Sequence, residues 1–234
     1  MNYYTMDGRE YNFSFDKEKS IGGRQGNIHI LDNNVCLKEY KEEVKPNSIF
    51  EDIGSKFNQE MFDYFKDNYM DSNMGELYDL LYDKKLSVIV GYTMKYYQEM
   101  VDNILDMPVD YILDNFSLIY DLVLRLTDDC VRIVDLHYGN IINTDNGMII
   151  IDYDKYYIDK DSSKDTIKYI NKSALMSTFI GIFKNNLSKL GIDINNKDIQ
   201  YKINTLFTMG TTPLVLKYKL CNYNSSFNYI VNSK

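Results

Sequence analysis

The chain has 234 residues, of which 44% are hydrophobic, so it is long and apolar enough to bury one or two cores without disulfide or metal support. Acidic residues outnumber basic residues by 34 to 26, and the net charge of −8 argues against a binder of nucleic acid or of an anionic membrane. The three cysteines are widely spaced and form no CxxC pair, which excludes a disulfide framework and indicates free thiols. Because the sequence shows neither a secretory signal nor an apolar run of membrane-spanning length, we expect a cytoplasmic protein, or one delivered into a host cytoplasm.

Strand patterns occupy the first part of the chain. Tyr11, Phe13 and Phe15 alternate with polar residues, and β-rich runs follow at 27–31 and 35–39. Three strands are therefore predicted before any helix.

One helix and two more strands are predicted next. Behind Pro46, apolar residues recur at three- and four-residue steps over 47–69, which predicts a single helix. Strand-forming runs at 77–82 and 86–94 complete the order βββαββ.

Helical patterns dominate downstream of about residue 98, beginning behind Pro108. Helical periodicity recurs at 172–187 and 198–209, and two short strands at 141–143 and 148–151 are joined by an Asn-Gly turn that favours a hairpin. The first of these helices is predicted to bury one face, which carries Ile112, Phe116, Ile119, Val123 and Leu126. The chain is thus predicted to be α+β, with its sheet first and a mainly helical part after it.

Three polar residues flank the predicted hairpin. Asp135 and Asn140 precede its first strand and Asp152 follows its second, so the turn folds the three side chains toward one point. Asn140 and Asp152 offer the hard oxygen ligands that Mg²⁺ prefers when it also binds substrate phosphates, and Asp135 is left to accept a hydroxyl proton. Taken singly, each is a common turn or capping residue; the spacing of all three favours chemistry.

A glycine-rich segment lies between two predicted strands. Gly22, Gly23 and Gly26 give backbone N–H groups close access to an anionic ligand. This pattern is consistent with a phosphate-binding hairpin.

Lys38 is a lone lysine among the apolar residues of the third predicted strand. A buried ammonium needs an anionic partner, and a phosphate together with Glu60 on the following helix meets that need. Glu51 is a second candidate for the pairing carboxylate.

The order of these motifs resembles that of the protein-kinase-like superfamily. The glycine-rich segment, the VCLK sequence ending at Lys38 and a helix with Glu60 come first, followed by GYTMKYY at 91–97. A D-x-x-x-x-N pattern then runs from Asp135 to Asn140, and IDYD at 151–154 stands where that superfamily has DFG. The resemblance spans roughly residues 20 to 155.

This resemblance implies a bilobal fold. The first lobe, 1–95, would hold an antiparallel sheet with one helix, and the second, 96–234, would be mainly helical and hold the catalytic loop at 132–154. It also implies ATP and Mg²⁺ as ligands, with Gly22, Gly23 and Gly26 covering the phosphates.

The resemblance further implies individual roles. Lys38, held by Glu60, would contact the α- and β-phosphates; Asp135 would take the proton of the acceptor hydroxyl, while Asn140 and Asp152 hold Mg²⁺. Residues implied to contact adenine are the gatekeeper Met94 and the hinge residues Lys95, Tyr96 and Tyr97.

Some positions depart from the superfamily pattern. Where the superfamily has the triplet HRD, this sequence has Ile133-Val134-Asp135, so it lacks the arginine that pairs with a phosphorylated activation loop. Asp154 stands in place of the DFG glycine. His137 stands where Ser/Thr protein kinases usually have lysine, and its DLHxGN context is similar to aminoglycoside and choline phosphotransferases and to atypical RIO-like kinases.

The favoured hypothesis is a compact Ser/Thr protein kinase that transfers the ATP γ-phosphate to a protein hydroxyl. The alternatives are a small-molecule kinase and a pseudokinase that serves as a binding module. An activating protein partner is consistent with the short helical part, and neither nucleic acid nor membrane is expected as a partner.

Overall fold

The computed structural model divides the chain into two compact units. The first comprises Met1–Gln98 and Asp154–Tyr157, and the second comprises Glu99–Tyr153 and Ile158–Lys234. The structure describes residues 2–13, 20–22, 25–31, 34–41, 57–70, 73–97, 109–144, 147–189 and 191–222. The protein is α+β, with one seven-stranded antiparallel sheet and several helices.

The sheet forms the body of the first unit. Its spatial order is β2-β1-β6-β7-β5-β4-β3, and every neighbouring pair is antiparallel. Its strands are β1 (Asn2–Tyr4), β2 (Glu10–Asn12), β3 (Ser20–Gly22), β4 (Gly26–Ile30), β5 (Val35–Tyr40), β6 (Leu77–Tyr82) and β7 (Ile89–Lys95).

In the described part of the chain, five strands, rather than the predicted three, precede helix α1. The prediction missed β1 and β3, which have three residues each, too few for a period-2 pattern to be recognised. The strand β1 is stabilised by pairing with β2 and with β6, and β3 by pairing with β4. Strand β6 has the predicted bounds, whereas β7 begins at Ile89 because residues 83–88 form a turn closed by Asp83.

The helix after β5 is shorter than predicted. Helix α1 spans Gln59–Tyr69 and begins where the Asn58 side chain accepts a hydrogen bond from the Met61 backbone N–H. Phe57 and Asn58 are not helical, so a continuous helix over 47–69 is wrong, and 47–56 lie outside the described residues. A capping side chain satisfies a free N–H group at this point and thereby fixes the helix start.

Apolar side chains cover both faces of the sheet. One cluster contains Tyr3, Leu37, Leu81 and Val90, with Tyr11 packed against it. Aromatic residues of α1 and its entrance form a second group with strand residue Tyr92, and the fully buried members of this group are Phe57, Phe62, Phe65 and Tyr92. Strand β5 lies in the middle of this packing, which fixes the position of Lys38 on it.

Helices dominate the second unit. Those in its described residues are α2 (Val109–Asp128), α3 (Lys164–Lys189), α4 (Lys197–Leu206) and α5 (Pro213–Asn222). The predicted apolar face of α2 is confirmed, since all five of its residues are fully buried. Phe116 on this face packs against Phe179 of α3, with ring centroids 4.7 Å apart.

Two helical predictions fall short of the structure. Helix α3 begins eight residues before the predicted 172, at Lys164, and its first turn is capped by Ser163. Helix α5 was not predicted, although Thr212 and Pro213 are a start signal: the Thr212 hydroxyl accepts from the Val215 N–H.

The predicted hairpin is present in the second unit. Strands β9 (Ile141–Thr144) and β10 (Gly147–Ile150) pair antiparallel, and Gly147 has a φ of +101°, as the Asn-Gly turn requires. Strand β8 (Val131–Arg132) precedes it and pairs with β11 (Tyr157–Ile158). Among the described helices, none combines the length and the apolar character that crossing a membrane would need.

Candidate active site

The loop between β8 and β9 is built around Asn140. Its side-chain Nδ2 donates to the Asp135 carbonyl at 2.9 Å, and its backbone N–H donates to the His137 carbonyl at 2.9 Å. The second bond closes a short 3-10 helix, Tyr138–Asn140. Asn140 is buried and Asp135 is exposed, so the loop is anchored at Asn140 and presents Asp135 to solvent.

The hairpin brings Asp152 to the same loop. The Ile151 N–H donates to the Asn140 carbonyl at 2.8 Å, which continues the pairing of β9 with β10 and places Asp152 directly after the pair. The backbone brings the predicted set Asp135, Asn140 and Asp152 together in the second unit. Asp135 and Asp152 have φ of +65° and +60°, in the left-handed region where aspartate is one of the few tolerated side chains.

Two buried polar residues of α3 support this loop, and the sequence analysis missed both. Asn171 accepts from the Ile133 N–H at 2.8 Å and donates to the Val131 carbonyl at 2.9 Å, while the Thr178 hydroxyl donates to the Leu136 carbonyl at 2.8 Å. They lie seven residues apart, two turns of the helix, on a buried face that is mainly apolar. The sequence signal that could have identified them is the presence of polar residues at helical spacing among the apolar residues of one helix face.

His137 lies beside Asp135 on the exposed side of the loop. Its Nδ1 accepts from the Gly139 N–H at 3.1 Å, and its Nε2 lies 3.8 Å from Asp135 Oδ1. The histidine therefore shapes the loop and faces the carboxylate predicted to act as the base.

The donor set suits Mg²⁺ bound together with phosphate. The Asn140 Nδ2 donates to the Asp135 carbonyl, its Oδ1 is an amide oxygen of the kind that Mg²⁺ binds, and Asp152 supplies a carboxylate. Mg²⁺ usually takes one or two carboxylates and completes its shell with water and substrate phosphates. Within the described part of the chain, no group of three or more His, Cys, Asp and Glu side chains is placed to hold a metal by itself.

Lys38 is buried in the first unit beside a carboxylate. Its Nζ lies 3.0 Å from Asp154 Oδ2, and the two residues are only 4% and 1% exposed. The ammonium also lies over the rings of Tyr40 and Tyr92, at 5.7 and 5.8 Å from their centroids. The prediction that a lysine on this strand has an anionic partner is thus confirmed, but that partner is Asp154 and not the predicted Glu60.

The expected partner, Glu60, is placed elsewhere. It lies in the first turn of α1 and is exposed, where its charge favours the positive end of the helix. In the described residues the carboxylate next to Lys38 is that of Asp154, which corrects the expected pairing with Glu60. Glu51, the other candidate, lies outside the described residues.

The glycines of the predicted phosphate hairpin differ in their surroundings. A Cβ on Gly26 would lie 2.4 Å from the Glu39 carbonyl oxygen, so glycine is required there by the close approach of β4 and β5. Gly22 is exposed, and among the described residues a Cβ on it would meet Asn27 Oδ1 at 3.9 Å. Gly23 lies outside the described residues.

The predicted adenine segment ends β7. Met94 is buried and paired with Cys36 and Leu77 across the sheet. The N–H of Tyr96 donates to the Asn34 carbonyl at 2.7 Å, and the Tyr97 hydroxyl accepts from the Glu76 N–H at 3.1 Å, while burial raises the pKa of Tyr97. These bonds hold the end of β7 against the neighbouring strands.

Comparison of the chain with protein-family models and with curated proteins finds no match. The structure thus supplies two sets of residues, Lys38 with Asp154 in the first unit and Asp135, Asn140 and Asp152 in the second. These two sets are the basis on which a function is proposed.

Proposed function

We propose that the protein is an ATP- and Mg²⁺-dependent phosphotransferase with a protein-kinase-like fold, and that its acceptor is a Ser or Thr hydroxyl of a protein. The observation that carries the proposal is the hydrogen-bonded loop in which Asn140 holds the Asp135 carbonyl and pairs with Ile151. Two aspartates and an asparagine are close along this backbone, which supports a site with one base and two oxygen ligands, as phosphoryl transfer to a hydroxyl requires.

The proposed chemistry assigns one task to each group. The bond between the γ-phosphorus and the β,γ-bridging oxygen breaks, ADP leaves, and a new bond forms to the acceptor oxygen, whose proton passes to Asp135. Asn140 and Asp152 would hold Mg²⁺, which neutralises phosphate charge when bound. Lys38 supplies a fixed positive charge for the α- and β-phosphates.

The identity of the acceptor has a second candidate. His137 lies 3.8 Å from Asp135 at a position where Ser/Thr protein kinases usually have lysine, which favours a small-molecule hydroxyl of the aminoglycoside or choline type. An imidazole beside the carboxylate offers such an acceptor a polar contact.

Two measurements test the proposal. ATP with Mg²⁺ at one hundred times its Kd adds about 2.7 kcal/mol of apparent stability by mass action, and this shift should be lost in Asp152→Asn. Labelled phosphate from γ-labelled ATP should enter the chain itself or a generic basic protein, and Asp135→Asn should abolish this transfer while retaining the thermal shift. Asp121→Asn, at an exposed position of α2, is the matched control and should behave as wild type.

The outcomes separate the candidates. Consumption of ATP only in the presence of an amino-sugar or amino-alcohol would replace the protein acceptor by a small molecule. A metal-dependent thermal shift without phosphate transfer to either class of acceptor would indicate a nucleotide-binding module. The absence of a thermal shift at saturating ATP would contradict the proposal.

A further inference from the structure

We propose that Asp154 is the residue that positions the Lys38 ammonium for phosphate binding, a role that the resemblance assigns to a helix glutamate. This inference rests on the proposed function, because it concerns how the phosphate-binding lysine of that function is oriented. Asp154 stands where the superfamily has the DFG glycine, and no role follows for it from the sequence alone.

The contact itself is direct and buried. Lys38 Nζ and Asp154 Oδ2 are 3.0 Å apart, within the range of a charge-assisted hydrogen bond, and their side chains are 5% and 1% exposed. Both residues belong to the first unit. A lysine stem has four rotatable bonds, so a fixed carboxylate at its end decides where the charge lies.

The surroundings of Lys38 restrict the ammonium further. The rings of Tyr40 and Tyr92 lie near it, and Tyr92 is fully buried. Glu60, by contrast, is exposed at the start of α1. Among the described residues, a carboxylate against the lysine therefore comes from Asp154, and the exposed Glu60 of α1 does not supply one.

A buried ion pair is a poor device for stability alone. Replacing such a pair by well-packed apolar residues is often neutral or stabilising, because both charges must be removed from water. What the pair provides is a defined position for the ammonium, and a phosphate-binding lysine needs that position.

The placement of Asp154 has a mechanistic consequence. It follows Asp152 by two residues, so one short segment carries both a proposed Mg²⁺ ligand and the anchor of the phosphate-binding lysine. Displacement of this segment would then affect both residues together.

The first test compares the affinity for ATP of three variants, measured by calorimetric titration with Mg²⁺. Asp154→Asn removes the charge at constant size and should raise the Kd for ATP about tenfold or more. Glu60→Gln, the matched control, should change it less than about twofold. Asp154→Glu restores the carboxylate and should recover part of the loss.

Equal affinity of Asp154→Asn and wild type would overturn the inference while leaving the proposed function intact. An equal loss in Glu60→Gln would return the role to α1 and also overturn it. If wild type binds no ATP, both the proposed function and the role of Asp154 toward phosphate are wrong.

A second test uses the nucleotide-free protein. Asp154→Leu leaves a buried ammonium next to an apolar side chain and should lower Tm by about 6 °C or more. Adding Lys38→Met should recover most of that loss, because the charge is then gone as well. Additive losses from the two substitutions would show that the residues are not coupled, which would contradict the inference independently of ATP.

Discussion

The left-handed backbone at Asp135 and Asp152 determines which substitutions are informative there. Aspartate and asparagine both tolerate positive φ, because their short polar side chains bond locally, whereas alanine is strained. Replacement by asparagine therefore removes the charge and retains the left-handed backbone conformation. This is why Asp135→Asn and Asp152→Asn test the chemistry of the loop rather than its folding.

Gly22 and Gly26 should respond in opposite ways to alanine. Gly26→Ala places a Cβ against the Glu39 carbonyl and should destabilise the protein by about 2 kcal/mol. Gly22→Ala has room and should leave Tm unchanged. If the proposed function is right, its Cβ obstructs the approach of phosphate to the backbone, and ATP binding should weaken. Thermal melts with and without ATP measure both effects. An unchanged melt of Gly26→Ala would contradict the strand-packing explanation.

Lys38 illustrates how far single residues could be predicted. A lone lysine between Leu37 and Glu39 on an apolar strand identifies a buried ammonium that needs an anion. The anion is supplied by Asp154, which is 116 residues away in sequence, and no local pattern encodes a contact over that distance. The nearer Glu60 was the predicted partner because it lies on the next helix.

At the scale of elements, the support that α3 gives to the loop carrying Asp135 leads to a prediction. Asn171→Ala leaves the buried Ile133 N–H and Val131 carbonyl without their partner and should destabilise the protein by about 2–4 kcal/mol. Because Ile133 lies two residues before Asp135, phosphate transfer should fall more than ATP binding. Ser177→Ala, at an exposed position of the same helix, is the control.

Chemical denaturation gives the stability change, and initial rates of label transfer give the functional one. Wild-type stability in Asn171→Ala would show that the loop is held by its own hydrogen bonds. An equal loss of binding and transfer would show that α3 supports the fold and has no particular effect on the loop.

Helices and strands could be predicted from the sequence where they are long enough to show a periodic apolar pattern. Five apolar residues of α2 at helical spacing are enough to define a buried face, and all five are buried. Short elements lack such a pattern: β1 and β3 form only through pairing with distant strands, and α5 is signalled only by Thr212 and Pro213. The formation of these short elements depends on tertiary contacts, which a local sequence pattern does not show.

At the scale of the whole molecule, alkaline pH should weaken the first unit. Burial, together with hydrogen bonds to Asp79 and Glu39, raises the pKa of Tyr11 to about 12 and also raises that of Tyr3. Burial raises the pKa of the Cys36 thiol to about 12. The unfolded chain releases these protons at lower pH, from about 8.5 for cysteine and about 10 for tyrosine. The stability is therefore fully present below about pH 8.5 and falls as pH rises toward 12.

Urea unfolding between pH 8 and 11 measures this loss, with pH values chosen to bracket the ordinary pKa of tyrosine near 10. Tyr11→Phe removes one titrating group and should give a shallower decline than wild type. A midpoint that stays constant over this range would contradict the prediction.

The discontinuity of the first unit has a consequence for synthesis on the ribosome. Its last members, Asp154–Tyr157, are translated only after residues 99–153, and two of them are buried in it: Asp154 beside Lys38, and Tyr156 with its ring 6.4 Å from that of Phe65. A nascent chain that has emerged only to Gln98 thus holds a lysine without its carboxylate and an aromatic core with one ring missing. Domains generally fold as they emerge from the N-terminus. Here the first unit receives Asp154 and Tyr156 only after residues 99–153 have been made, whereas the second unit still needs the residues from Ile158 onward.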